Sequence, residues 1–210
     1  MAYQLFTILG IIAGFIVAKM QGIKKPSKEV QFDMYLAGGI GLILGVKIPV
    51  FILHGISLST VLTGKSVMGG LLGTFIAIHI YKFFSKKNGQ ALGGGFAIPF
   101  AVALGFGKIG CYFNGCCGGD FPIPVQLMES ASQFIVALGL WLFYQKTKRV
   151  DLLFPLYMLS YLIIRFLAEF IRTPEKLFFG ITLYQWLAII FLPVVCYIIL
   201  KRMKKDVTAL

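Results

Sequence analysis

The residues best suited to chemistry lie together between Gly107 and Gly119, in the order Gly-Lys-Ile-Gly-Cys-Tyr-Phe-Asn-Gly-Cys-Cys-Gly-Gly. Five glycines, three cysteines, an asparagine and a lysine crowd this stretch, which begins where an apolar run of about membrane-spanning length, roughly 20 residues, gives out. Packing alone has little use for such a composition. Glycines let the backbone turn through positive φ and let a ligand or another chain segment approach closely, so their density points to a backbone bent to receive something. Lys108, just inside the apolar run, is costly unless it meets an anion or an internal partner. A glycine-rich turn with a snorkelling lysine is the plainer alternative.

A second constellation lies in a later apolar run. Arg165, Glu169 and Arg172 are spaced i, i+4 and i+7, which stacks them on one helix face. Arg165 and Glu169 can neutralise each other within the helix, but two arginines against one glutamate leave a positive charge over. An arginine fork suits phosphate and a lysine adds a point charge, so Lys108, Arg165 and Arg172 together make a cradle for an anionic headgroup. Gln126 and Glu129 open an apolar run at the same depth, where they can orient a hydroxyl or cap a helix.

The elements that must position these groups follow from composition. With 58% hydrophobic and 13% charged residues, and a mean hydropathy of +0.86, the chain is excluded from ordinary soluble domains, whose charged share is about 25%. An all-α, polytopic membrane protein is expected, forming one compact transmembrane domain over residues 1–210. Seven spans are readable: 3–20, 35–54, 67–84, 92–110, 125–144, 153–171 and 184–200, with a kink expected at Pro99. A polar loop is expected over 55–65.

The net charge of +12 raises nucleic acid as a partner, but the bilayer explains it more simply. Fourteen of the twenty lysines and arginines fall in four clusters: Lys19, Lys24, Lys25 and Lys28; Lys82, Lys86 and Lys87; Lys146, Lys148 and Arg149; and Lys201, Arg202, Lys204 and Lys205. Alternating spans put all four on one side, which the positive-inside rule makes the cytoplasm. The N-terminus is then outside, the C-terminus cytoplasmic, and the stretch 107–119 faces outward. No positive charge precedes the first apolar run, so it is expected to be a retained span and not a cleaved signal. The remaining cations are Lys47, Lys65, Lys108, Arg165, Arg172 and Lys176.

Several motifs in order resemble the bacterial prolipoprotein diacylglyceryl transferases over essentially the whole chain. The family signature runs roughly G-R-x-G-N-F-x-N-x-E-x-x-G, and residues 107–119 keep its glycine frame through Gly119, its aromatic at Tyr112 and its asparagine at Asn114. Pro124, Gln126, Leu127 and Glu129 resemble the family's H-P-S-Q-L-Y-E. Arg165-Phe166, Glu169-Phe170, Arg172 and Pro174 match its R-F-x-x-E-F-x-R-x-P. Tyr184-Gln185-Trp186 is similar to its M-G-Q, Tyr3 stands where its first-span tyrosine falls, and Gly69, Gly70 and Gly73 follow its H-G-G-L-x-G.

The resemblance implies transfer of the diacylglyceryl group from phosphatidylglycerol to the thiol of a lipobox cysteine in a prolipoprotein, at the outer face of the bacterial cytoplasmic membrane, with release of glycerol phosphate. By the same carry-over, Lys108, Arg165 and Arg172 hold the phosphate and Glu169 fixes the arginines. Tyr3, Asn114, Gln126, Glu129, Gly119, Gly69 and Gly70 contact substrate. Neither a metal nor an organic cofactor is implied, and the partners are the phospholipid and the peptide.

Four positions depart from the pattern. Lys108 replaces an arginine and loses its bidentate geometry. Cys111 replaces an asparagine, Cys116 a glutamate, and Met68 the histidine, so no proton acceptor stands at that place. His54, at the outer end of its span, is the nearest substitute by depth, whereas His79 reads as a packed or snorkelling residue. Cys111, Cys116 and Cys117 on an oxidising side admit a Cys111–Cys116 disulfide or a reactive thiol favoured by Lys108. Three cysteines without a nearby histidine are an incomplete zinc set, and adjacent Cys116 and Cys117 rarely share one site. Cys196 reads as packing. The alternative function is a diverged paralogue that binds phospholipid or does thiol chemistry on the same scaffold. A transporter is a third class, but no inverted repeat is visible.

Overall fold

A computed structural model describes residues 2–23, 27–85, 93–119, 122–172 and 176–207, without the side chains of residues 178 and 205–207. Lys24, Lys25, Lys86, Lys87 and Pro174, and the side chain of Lys205, lie outside the described residues. In chain order the helices are α1 (Ala2–Met20), α2 (Lys28–His54), α3 (Leu58–Leu62), α4 (Val67–Phe84), α5 (Gly94–Phe113), α6 (Val125–Thr147), α7 (Val150–Ile171) and α8 (Leu183–Val207). All but α3 are long and apolar enough to cross a membrane. Among the described residues the structure is therefore all-helical with seven such spans, and their bounds exceed the expected ones by a few residues at several ends.

Contacts divide the chain into two compact units, Met1–Ile23 with Gly94–Leu210, and Lys24–Gly93. In the second, α2 and α4 cross at a small-residue seam. A Cβ on Gly45 would lie 2.9 Å from the Gly73 Cα, and one on Gly69 would meet the Pro49 ring at 2.7 Å. Bare backbones are what let the two helices touch. Ser66 starts α4 by accepting from the Gly69 N–H at 3.1 Å. At the other end of this helix pair the Tyr81 hydroxyl donates to Asp33.

Part of the expected 55–65 loop is helical. Ser57 and Thr60 form a capping box that starts α3, so local side-chain oxygens rather than hydropathy make this turn. Lys47 anchors it, donating to the Val61 and Gly64 carbonyls at 2.6 and 2.7 Å. That cation is thus accounted for by the Val61 carbonyl, left without an internal partner in the last turn of α3, and by the Gly64 carbonyl just beyond the helix.

In the first unit α5 runs antiparallel to α1 and α6, and α7 antiparallel to α6 and α8. Gly10 and Gly14 of α1 lie on Ala103 and Pro99 of α5, and Gly110 of α5 lies on Tyr3 and Phe6 of α1. Gly105 of α5 receives the Phe134 ring of α6, and its carbonyl accepts from Ser130. Tyr157 of α7, fully buried, donates to Gln133 of α6 at 3.1 Å. This packing collects the C-terminal ends of α5 and α7 with the N-terminal ends of α1, α6 and α8. Lys19, Lys146, Lys148, Arg149, Lys201, Arg202 and Lys204 belong to the opposite ends, where Arg149 pairs with Asp151 and donates to the Arg202 carbonyl.

Candidate active site

Five ionic side chains from three helices converge in the first unit, with Glu129 at their centre. Its Oε2 is 2.6 Å from Lys108 Nζ of α5. Its Oε1 is 3.1 Å from Arg165 Nη1 of α7 and 3.9 Å from Arg172 Nη1. Arg165 Nη2 also stands 2.5 Å from Glu169 Oε1, one helical turn on, and the Arg165 guanidinium lies 4.7 Å from the centre of the Tyr184 ring of α8. Burial of such charges is tolerable only when they neutralise one another. Here three cations surround two carboxylates, so one positive charge remains uncompensated within the group.

That surplus falls on Arg172. The helix ends before it: Arg172 is the C-cap of α7 with extended backbone (φ −83°, ψ 161°), which corrects the expectation that it continues the Arg165–Glu169 face at i+7. Leaving the helix turns its side chain towards the stretch after α5, where Nη2 hydrogen bonds to the Cys117 carbonyl. Its distance to Glu129 makes it the loosest of the three cations.

The stretch 114–119 is folded back against α6 and α7. Gly115 (φ 66°) and Cys117 (φ 61°) both take left-handed conformations, easy for the glycine and strained for the cysteine. Gln126 at the start of α6 donates to the Cys116 carbonyl at 2.9 Å. A Cβ on Gly119 would come within 3.0 Å of the Arg172 Cα and closer still to the Ile171 carbonyl oxygen, so only glycine lets this segment lie against the end of α7. Asn114 is exposed just beyond α5, its N–H closing on the Gly110 carbonyl. Tyr3 is 44% exposed and within electrostatic reach of Cys111 and Cys116.

The three cysteines are free thiols, and their sulfur atoms lie within 4.8 Å of one another. The turns at Gly115 and Cys117 bring adjacent Cys116 and Cys117 to the same side as Cys111, against the expectation from their adjacency.

Beside this cluster a cavity of about 390 Å³ is lined by Glu169, Phe170, Arg172, Lys176, Gly180, Thr182 and Gln185. Thr182 and Gln185 form a reciprocal cap at the start of α8, each side chain accepting the other's backbone N–H. Glu169 has a fully buried side chain whose Oε1 is held by Arg165, while its Oε2 accepts no hydrogen bond among the described residues. A buried acceptor beside a cavity calls for a donor from a ligand.

Residues 1–201 match the family model described as prolipoprotein diacylglyceryl transferase. The chain belongs to the prolipoprotein diacylglyceryl transferase family. It is similar to proteins named phosphatidylglycerol–prolipoprotein diacylglyceryl transferase from Clostridium tetani, 28% identical over 81% of this chain and 80% of the relative. A relative of the same name from Polynucleobacter necessarius is 28% identical over 90% and 83%. One from Idiomarina loihiensis is 29% identical over 94% and 88%.

Within this prolipoprotein diacylglyceryl transferase family member, Lys108, Gln126, Glu129, Arg165, Glu169, Arg172 and Gly119 all lie in one unit and are brought together. Gly69, Gly70 and His54 belong to the other unit. Gly69 and Gly70 are buried against α2, Gly70 meeting Leu42 and Val46, a packing role that accounts for their size. His54 is exposed at the end of α2, and Met68 is 2% exposed in the first turn of α4. Two contributors escaped the sequence reading as site residues: Tyr184, stacked on Arg165, and Lys176, on the cavity wall. Tyr184 lies within a family motif, but no spacing rule links it to Arg165. Glu129 reads from the sequence as a hydroxyl-orienting, capping or substrate-contacting group, whereas it is the common partner of all three cations.

A hydrogen bond from Cys111, with the nearby Arg172 and Lys108 charges, lowers the Cys117 thiol to about 5. A free cysteine titrates near about 8.5. Alkylation of Cys117 by iodoacetamide is therefore expected to vary little between pH 6 and 8, and to fall as pH drops through about 5 and the thiolate takes up its proton. A rate that instead climbs about tenfold per unit towards pH 8.5 would show an ordinary thiol. Mass spectrometry of the modified peptide reads it.

Proposed function

We propose that this chain transfers the diacylglyceryl group of phosphatidylglycerol to the thiol of a lipobox cysteine. The observation that carries the reading is the surplus positive charge around Glu129, displayed by Arg172 on the wall of the cavity. In this reading Arg172, with Lys176, grips the lipid phosphate, and Lys108 and Arg165 are held in register by Glu129. The headgroup glycerol gives a hydroxyl hydrogen bond to Glu169 Oε2, the oxygen that Arg165 does not hold. Gln126 and Gly119 shape the segment 116–119, while Tyr3 and Asn114 meet the lipid or the peptide.

The chemistry is alkyl transfer. The acceptor sulfur, having lost its proton, forms a bond to the glyceryl carbon that carries the phosphate ester. The carbon–oxygen bond breaks, and glycerol phosphate leaves with the electron pair. Charge grows on the departing phosphate oxygen, where preorganised cations stabilise the transition state more than the bound lipid.

Orientation belongs to the same proposal: the basic helix ends of the first unit lie in the cytoplasm of a bacterial inner membrane and the Cys117 end faces outward. A membrane-impermeant maleimide should label Cys117 in intact cells, and labelling only after lysis would reverse the orientation.

The experiment is transfer from phosphatidylglycerol to a lipobox peptide by the purified protein. Arg172→Ala should lower kcat by about a hundredfold, as removal of one preorganised transition-state contact does elsewhere. Arg172→Lys should restore part of it, because charge returns without the fork. No transfer by the unaltered chain while phosphatidylglycerol still binds would favour the second reading, a phospholipid-binding paralogue, to which Met68 at the family's histidine position lends support.

A further inference from the structure

We propose that Cys111, Cys116 and Cys117 form a three-thiolate site for a zinc ion, with the fourth position open to the thiol of the acceptor. The second half of that statement rests on the transferase reading above; the first does not.

Three sulfurs within 4.8 Å of one another are close to what a tetrahedral zinc requires, since Zn–S bonds of about 2.3 Å set the sulfurs about 3.8 Å apart. Closing the difference takes only side-chain rotation and a small loop shift. The backbone is already committed to it: left-handed turns at Gly115 and at the non-glycine Cys117 present two adjacent cysteines to a third that is fixed in the last turn of α5. The segment is also tied from both flanks, by Gln126 to the Cys116 carbonyl and by Arg172 to the Cys117 carbonyl.

Donor chemistry selects the ion. Glu129, the carboxylate ion-paired to Lys108, is engaged by cations, so sulfur is the donor on offer, and three thiolates favour a soft or borderline ion over magnesium or calcium. Three thiolates and one divalent ion carry net negative charge, which Arg172 and Lys108 offset. Cys111 and Cys116 are half-buried and Cys117 is exposed, which leaves the open coordination position on the accessible side, as in catalytic rather than closed structural zinc sites.

The role follows from what the chain lacks. Met68, where the family motif carries its histidine, cannot accept a proton. A thiol that binds zinc gives up its proton to solvent on coordination, without a side-chain base. The bound sulfur keeps its electron pair and can form the new carbon–sulfur bond as the glycerol phosphate departs.

The test uses the full chain in detergent, reduced, with Zn²⁺ alone and neither lipid nor peptide. One zinc per chain should survive desalting, measured by elemental mass spectrometry. Cys116→Ser and Cys117→Ser should each lower occupancy by at least about tenfold, and Cys196→Ser should leave it unchanged. Zinc should also slow N-ethylmaleimide modification of the three cysteines in the unaltered protein but not that of Cys196, a readout independent of how the variants fold. Equal modification rates with and without zinc overturn the site. With Co²⁺ in its place, a lipobox peptide should shift the sulfur-to-cobalt absorption and its cysteine-to-serine counterpart should not; no shift removes the acceptor role. Transfer by protein shown to be zinc-free would overturn the acceptor role and leave the transferase standing. Zinc binding without any transfer would leave the three-thiolate site standing and overturn the transferase reading together with the acceptor role.

Discussion

Glu129→Gln is expected to inactivate the protein and to loosen its first unit. The substitution keeps shape and removes the one charge shared by Lys108, Arg165 and Arg172. Lys108 and Arg165 then remain buried with only Glu169 as counter-charge, and breaking a buried ionic group in this way costs about 3–5 kcal/mol. The three cations repel one another and lose their common anchor, so the headgroup cradle loses geometry as well as stability. Transfer should fall by about a thousandfold, more than for loss of Arg172 alone, because several preorganised contacts go together. Glu129→Asp separates the causes: charge is retained with a shorter reach, so thermal stability in detergent should largely return while activity stays low. A Glu129→Gln protein of unaltered stability and near-normal transfer would show that Glu129 is a bystander.

Gly73→Leu is expected to take apart the second unit. Gly41 and Gly45 of α2 face Gly69 and Gly73 of α4, and a Cβ on Gly73 would stand 2.8 Å from the Gly45 Cα and closer to the Gly41 carbonyl. The obstacle is backbone, which cannot rotate away as a side chain can. The helices must separate along their whole contact, at about 3 kcal/mol or more, and in lipid no hydrophobic gain offsets the lost packing. The measurement is limited proteolysis and thermal unfolding of the purified protein. Gly39→Leu, on the partner helix α2 but with nothing within 4 Å of its Cβ, should behave like the unaltered chain. Equal stability of the two variants would count against the seam.

Both predictions rest on features that could be read only in part from residue order. The spans were legible because a bilayer leaves the chain little choice: backbone polar groups must pair internally, so apolar runs of sufficient length become helices. Residues 67–84 coincide with α4 for this reason, and Arg165 and Glu169 meet because i, i+4 neighbours on a helix always do. The family motifs were legible for a different reason, since they depend on residue types in order and not on geometry. Gly119 belonged to the frame of such a motif, but its purpose, the close approach to the end of α7, needed the other helix.

What order alone could not supply were relations between distant segments. Glu129 read as a capping or hydroxyl-orienting group because its three partners lie 21, 36 and 43 positions away on other elements. Arg172 was expected on the α7 face, and the helix stops one residue earlier. Cys116 and Cys117, unpromising as ligands together because of their adjacency, converge on Cys111 through two left-handed turns.

The sequence by itself determined the solvent, the number of membrane-length helices, the family and most residues of the ionic cluster. Hydropathy, helical period and motif order are properties of local stretches, and each survives in the folded chain unchanged. The tertiary structure decided which charges neutralise which, where the positive surplus falls, and that three cysteines share one place. Those outcomes depend on crossings between helices, and charges buried in a medium of low dielectric are governed by the partner that packing brings within a few ångströms.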